Sequence, residues 1–380
     1  MKTKIVCSQE CALLYSLEEI KEQLRDLKED FDFLIFSVHP KYGYDDVNYL
    51  IRKTFKTENY VAFHAVDAFN NARIVEEAVV CLAIKFERNG YIETFYVEDI
   101  NRNDEALEKT VKYINSNPDA LHIILAGLAE DKFALFLEKL SERINYSPIN
   151  NIIGGISSGY DEGGEFLTYQ FIKNLTIKHG FVILSLKNVA FSIDISLGFV
   201  PYGITYTIKK AKNREIYEVD GHKSIKKIIQ DLLDGIENPD IRYLWYVPIY
   251  ILDDKEGYVA TVRTPAKLKE ESVEFYGPVK EGDKFKLSFA TPDNLIKEDT
   301  LCAKRVKEKL KHVELALNFS CIARQYVLED KQEEELKVYA SVLNSHLFGF
   351  FTFGEIGPDR EFKKLKLYNE TSLIVGVREL

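Results

Sequence analysis

The spacing of apolar and polar positions changes period repeatedly along this chain, and each change marks an element. Leu17, Ile20, Leu24 and Leu27 recur at helical intervals, which lays one apolar stripe along a helix. Ser16-Leu17-Glu18-Glu19 stands at its start as a capping box, in which hydroxyl and carboxylate each satisfy an orphan backbone N–H. The run FDFLIFSV, Phe31 to Val38, is apolar almost throughout and reads as a buried strand. Val47, Leu50, Ile51 and Phe55 return to the helical period ahead of the strand YVAFHAV, Tyr60 to Val66. VVCLAIKF and YIETFYVE come next, joined through Arg88-Asn89-Gly90. Asn-Gly supplies the positive φ of a tight turn, so the two are expected to pair as an antiparallel hairpin. A charged helix over 104–116, the strand LHIILAG and the helix DKFALFLEKLSERI follow, and then strands at NIIGGISSG, FLTYQF, FVILSL and NVAFSIDI.

Leu197-Gly198-Phe199-Val200-Pro201-Tyr202-Gly203 interrupts this rhythm. At 380 residues the chain exceeds what one core ordinarily serves, and the punctuation places a boundary between a domain 1–196 and a domain 197–380. The second half opens with ITYTIKKA and EIYEV, turns at Asp220-Gly221, and continues with a helix over 224–234. Strands are expected near 243–252, 258–264, 271–277 and 284–290. Thr291 caps a helix whose first residue, Pro292, loses nothing by lacking an N–H there. Leu295, Cys302, Val306 and Leu310 share one face of it. VELALNFSC is a strand, 331–343 a helix, and three more strands close the chain. The fold class is α+β: two domains, each a mixed, largely antiparallel sheet assembly with helices packed on the outside.

Composition narrows the function. With 50 Lys and Arg against 60 Asp and Glu the net charge is −10, which argues against broad nucleic-acid binding and against adhesion to an anionic membrane. No apolar run approaches the ~18 residues of a membrane span, and MKTKIVCSQE lacks the apolar centre of a signal peptide. Five cysteines with no CxxC pair suit a reducing compartment, so the expected location is cytoplasmic.

Few residues offer chemistry. Glu355 lies among glycines and aromatics in GFFTFGEIGPDREF, Gly349 to Phe362, and a buried carboxylate is costly unless a cation or several donors meet it. Arg324, in FSCIARQ, carries a planar fork of donors suited to a carboxylate. Its partner is either Glu355 or an anionic ligand. Cys321, three residues earlier, reads as a buried cysteine, with an activated thiolate as the alternative. Arg263, in TVRTP, has the same two readings of ion pair or anion contact. GGISSG has neither P-loop nor GxGxxG spacing and is expected to be a tight turn. Seven histidines show no metal-ligand spacing. His64, in YVAFHAV, is either a satisfied strand residue or an axial ligand.

Three blocks together resemble the FIST family, a sensory domain of an N and a C part. They are SLGFVPYGITYTIKKAKNREIYEVDGHKSI, Ser196 to Ile225; YVATVRTP with KEGDKFKLSF; and ALNFSCIARQ with FGFFTFGEIGP and YNETSLIV. NIIGGISSG is similar to a block of the N part. Where such N parts carry a Gly-x-Ser-Thr-Ala-Gly-like segment, this chain has AFHAVDAFNN, Ala62 to Asn71, whose bulkier residues reshape or close that wall of the pocket. The resemblance implies a cytoplasmic sensory and signal-transduction module, not an enzyme, that binds an amino acid or related metabolite between its halves. Arg324 would then hold a ligand carboxylate and Glu355 an amine, with Cys321, Asn369 and Gly354 lining the site and Arg263 assisting. No cofactor or metal is expected. Haem, as in gas-sensing relatives, is the alternative, as is an ion-paired interaction scaffold without ligand. The signal would pass to a separate protein partner.

Overall fold

A computed structural model describes residues 1–25, 31–128, 131–161, 163–233, 240–252, 259–359 and 364–380. Four sheets organise them. The first runs in the order Lys2–Ser8, Val79–Lys85, Phe33–Val38, Tyr60–His64, Gln170–Ile172 and Leu175–Ile177. The second runs Leu365–Tyr368, Glu355–Pro358, Ile152–Ile156, Leu121–Ala126, Phe181–Lys187 and Tyr91–Val97. The third runs Val189–Ser196, Ser372–Glu379, Leu315–Cys321, His346–Thr352, Asp67–Asn70 and Arg73–Glu76. The fourth is built from strands between Val200 and Leu268, with Val273–Phe275 and Lys284–Phe289.

Each of the first three sheets contains one parallel pair, Leu34 to Val38 beside Tyr60 to His64 being an example; the other pairs are antiparallel, and the α+β class holds. These sheets share one apolar core, which takes Ile35 and Phe63 from the first, Ile123 and Leu184 from the second, and Leu317 and Val375 from the third. Their opposite faces are covered by helices. Leu13–Gln23 and Val47–Phe55 bury Leu17 and Ile51 against Phe36. Asn103–Asn115 and Asp131–Arg143 bury Leu107 and Leu137 against Ile124. Pro292–Leu310 and Gln332–Leu343 bury Val306 and Leu336 against Ile374. Strands covered on both faces have no polar side to show, which is why Leu121–Ala126 and Phe33–Val38 read as near-continuous apolar runs.

Several local expectations are corrected. The strands flanking Asn89-Gly90 do not pair: Val79–Lys85 joins the first sheet and Tyr91–Val97 the second. The Glu379 carboxylate redirects the chain there, accepting the backbone N–H of Glu87, Arg88 and Gly90 at 2.8, 2.7 and 2.9 Å. A long-range partner thus outweighs the local turn signal. The GGISSG glycines are not turn residues. Gly154 lies inside Ile152–Ile156 at φ +153°, and a Cβ on it would stand 1.9 Å from the Ile124 carbonyl oxygen, so the close approach of two parallel strands demands glycine. The first helix starts a turn early, at Leu13, so Ser16 is buried inside it. The Ser16 hydroxyl meets Tyr42 Oη at 3.1 Å, and Glu19 accepts from Ser8 Oγ at 2.6 Å instead. Four strands rather than three follow the helix Gln332–Leu343, and the helix Ile322–Leu328 was not anticipated. The Thr291 cap stands as expected, its side chain accepting from Asn294 N.

Two sheets take strands from both sides of position 196. Asp67–Asn70 pairs with His346–Thr352 in the third, and Glu355–Pro358 pairs with Ile152–Ile156 in the second. AFHAVDAFNN is one such crossing, since Tyr60–His64 ends in the first sheet and Asp67–Asn70 begins in the third.

Candidate functional site

The turn Asn369 to Thr371 carries the chain from the second sheet to the third, between Leu365–Tyr368 and Ser372–Glu379. Glu370 holds φ +58° there. A non-glycine residue in the left-handed region stores backbone strain that its surroundings must offset. Its side chain is fully buried. One carboxyl oxygen accepts from Thr264 Oγ1 at 3.1 Å, and the other, Oε2, has no partner among the described residues. Burial pushes this carboxyl well above the usual carboxylate range, and the proximity of Glu355 adds to it. The Asn369 side-chain carbonyl is also buried without a donor.

Glu355 opens the strand Glu355–Pro358, directly across from Tyr368. The puzzle of its burial is answered by donors. Thr352 Oγ1 lies 2.5 Å from one oxygen, while Thr371 Oγ1 and Thr371 N–H reach the other at 2.8 and 3.2 Å. Even so, burial pushes its carboxyl up to about 8, because hydroxyl and amide donors offset only part of the desolvation of a charge. Cys321 ends the strand Leu315–Cys321 and is fixed by its N–H to Thr371 O at 2.9 Å. Burial pushes its thiol up, and both nearby glutamates add to the effect, the opposite of what an activated nucleophile needs.

Aromatic rings stand beside these groups. Tyr160, Phe166 and Phe353 form a triangle with centroids 5.1 to 5.5 Å apart. Tyr160 lies within electrostatic range of Tyr276, Tyr326 and Cys321, and Tyr276 within range of Glu370. Trp245 packs on Tyr326 at 4.7 Å, with its indole N–H lacking an acceptor among the described residues. Tyr160, Phe166 and Tyr326 are each more than two-fifths exposed, and Phe353, which packs on the first two, lies two residues before Glu355.

The arginines are placed elsewhere than expected. Arg324 is fully buried and does not pair with Glu355. Its Nη2 donates to Asp299 Oδ1 at 2.6 Å and its Nε to Glu335 Oε2 at 3.2 Å, with Ser196 Oγ at 3.4 Å. The reason is topological. Asp299 and Glu335 sit on the two helices covering the third sheet, and the helix Ile322–Leu328 turns Arg324 in between them. Arg263 donates to backbone carbonyls and to Thr261 Oγ1, the last at 2.9 Å. Its Nη1 reaches Val262 O at 3.0 Å and Leu367 O at 2.9 Å, and its Nε reaches Pro278 O at 3.2 Å. Gly354 contributes backbone only, donating to Thr352 Oγ1 at 3.2 Å and accepting from Ile156 N at 2.9 Å.

Glu355, Cys321, Asn369 and Gly354 therefore converge, while Arg324 and Arg263 brace the surroundings. Glu370 was missed, although the sequence did place a charged residue beside Asn369 in a segment bounded by apolar runs. His64 is buried, with Nδ1 3.2 Å from Leu167 O and Nε2 3.1 Å from Gly43 O. Burial lowers it to about 4, and both nitrogens face backbone carbonyls rather than an open position. Among the described residues no cluster of three His, Cys, Asp or Glu could hold a metal. A groove of about 730 Å³ lined by Tyr96, Glu98, Asp99, Lys109, Lys178 and His179, among others, contains none of the residues singled out from the sequence.

Comparison with known proteins finds two family models along the chain. The FIST N domain matches residues 32–222 and the FIST C domain residues 227–358. An uncharacterized protein of Aquifex aeolicus (strain VF5) is 34% identical over 264 residues, which cover 68% of this chain and 97% of that one.

Proposed function

This chain belongs to the FIST family, whose domains are sensory and signal-transducing, and on that premise we propose that it senses a small polar ligand bound over Glu370, Asn369, Glu355 and Cys321. The ligand is an amino acid or related metabolite that presents an amine to this floor, in a cleft to which the N part contributes Tyr160 and the C part Tyr276 and Tyr326. One observation carries the reading. Glu370 Oε2 and Asn369 Oδ1 are buried acceptors with no donor among the described residues, at a turn held in a strained conformation. Buried polar atoms are nearly always satisfied, and N–H donors of a ligand are the partners this reading assigns to them.

In this reading the protein acts by binding, and burial holds the Cys321 thiol neutral rather than as a nucleophile. Five free cysteines support a reducing, cytoplasmic setting, and no described helix is long and apolar enough to cross a membrane. The response passes to a separate signalling protein. A thermal-shift screen against amino acids and their metabolites tests the reading. A ligand at ~100 times its Kd stabilises the fold by about 2.7 kcal/mol, and Glu370→Gln is expected to remove that shift. A shift that survives the substitution would place the ligand elsewhere.

A further inference from the structure

Glu355 and Glu370 share the buried floor of the site, and no cationic side chain is hydrogen-bonded to either among the described residues. The titratable groups that face them are Cys321, Arg324, Tyr246 and Tyr276. Among the described residues only Arg324 is cationic, and its charge is already shared by the carboxylates of Asp299 and Glu335 through Nη2 and Nε, while its Nη1 has no partner. Arg263, on the neighbouring strand, donates to backbone carbonyls and to Thr261 Oγ1. A ligand carboxylate would thus meet two acids, with the one nearby cation already balanced by two other carboxylates. Among the described residues Asn369 Oδ1 is an acceptor without a donor, and Glu370 Oε2, likewise without a partner, becomes one when its carboxyl ionises.

We propose, building on the ligand site argued above, that the ligand enters as a cation, a primary ammonium or guanidinium group with no carboxylate beside it, and that it displaces one proton from the Glu355–Glu370 pair into solvent. Two buried carboxyls without a counter-cation do not both ionise. Burial holds both in the neutral form near neutral pH. An arriving cation supplies the missing charge, one carboxyl ionises, and the exchange leaves the net charge of the site unchanged. Binding therefore tightens as pH rises, by up to about tenfold per unit while the pair remains protonated in the free protein.

Matched pairs of probes separate this class from its parent, namely agmatine against arginine, cadaverine against lysine, histamine against histidine and tyramine against tyrosine. Each is titrated calorimetrically into the intact protein at pH 7 in phosphate and in Tris, whose different ionisation enthalpies report the protons released. The expected result is one amine binding at least about tenfold tighter than its amino acid, with close to one proton released. Glu370→Gln is expected to abolish both the proton release and most of the affinity. Asn369→Ala, which removes only the neutral acceptor, is expected to weaken the amine by about tenfold while leaving proton release intact. It decides the case if Glu370→Gln does not fold. An amino acid that binds as tightly as its amine, in a Glu370-dependent way, overturns the cationic class and leaves the ligand site standing. Amine binding without proton release overturns the exchange. Probes that all fail to bind, or that bind regardless of both substitutions, overturn the site as well.

Discussion

Replacing Arg324 with methionine decides whether this arginine serves the ligand or the fold. The guanidinium is fully buried and ties together three helices. Asp299 lies on Pro292–Leu310, Arg324 on Ile322–Leu328 and Glu335 on Gln332–Leu343. Tyr339 Oη also donates to Asp299 Oδ1 at 2.9 Å, and Ser372 Oγ donates to Glu335, extending the network onto the third sheet. Methionine fills much of the same volume but leaves two carboxyls buried with no cation. Breaking a buried ion pair in this way costs about 3–5 kcal/mol, more than the pair itself contributes. The loss must depend on pH. Burial already pushes Asp299 up to about 7 while Arg324 pulls it down. Without the arginine Asp299 takes up a proton more readily, and neutralisation relieves the penalty. Urea unfolding of Arg324→Met is therefore expected to show the full loss at pH 8 and a clearly smaller one at pH 5.5. Asp299→Asn in the same background is expected to restore part of it at pH 8. A loss under about 1 kcal/mol at pH 8, or an intact fold that has lost amine binding, would refute the structural role and return Arg324 to the ligand.

Glu355→Gln tests the buried carboxyl by its titration. Its folded-state value, about 8, lies above the ordinary 4.5, so the native state holds a proton that the unfolded chain has lost in between. Its contribution is fully present below pH ~4.5 and falls by about 1.4 kcal/mol per unit as pH rises towards 8. Asp299 contributes in the same direction. Glutamine should flatten the stability profile between pH 5 and 8 by that one slope, and an unchanged profile would mean that Glu355 is ionised in the fold. Gly154→Ala should cost more than about 3 kcal/mol or abolish soluble expression, because its Cβ would overlap the Ile124 carbonyl; a normal denaturation midpoint would refute that packing. Iodoacetamide at pH 7.5, read by peptide mass mapping, should label exposed Cys11 well before buried Cys321. Preferential labelling of Cys321 would reopen the thiolate alternative.

Much of the fold was legible because strands covered on both faces leave long apolar runs, and because helices with one buried side leave a stripe. Pairing was less legible. Asn89-Gly90 is a sound local turn signal, yet Glu379, nearly 300 residues away in sequence, supplies the acceptor that sends the two strands to different sheets. For Arg324 the sequence offered a signal that went unread. Leu295, Cys302, Val306 and Leu310 mark the buried face of their helix, and Asp299 lies on that face, four residues after Leu295 and three before Cys302. A charge on a buried face needs a partner, and Glu335, next to buried Leu336, makes the same demand. Glu370 was hidden for another reason: Asn-Glu-Thr carries no glycine to announce the left-handed turn that aims its carboxyl inward.

The placement of the site suits it to transmit a signal. Glu355 belongs to the second sheet, Cys321 and Thr352 to the third, and Thr264 joins two strands of the fourth. The turn Asn369 to Thr371 links the second sheet to the third. Glu355 is thus held by Thr352 of the third sheet and Thr371 of the turn, and Glu370 by Thr264 of the fourth-sheet junction. A neutral carboxyl donates through its own O–H, whereas an ionised one only accepts, so a change of protonation reverses a donor role in this network. The hydroxyls must reorient or separate, and close-packed sheets pass such a shift on rather than absorb it. A ligand biases a conformational equilibrium only by the difference in its affinity for the two states. In the proposed exchange that difference lies in the ionisation of one of two glutamates, at the junction of three sheets.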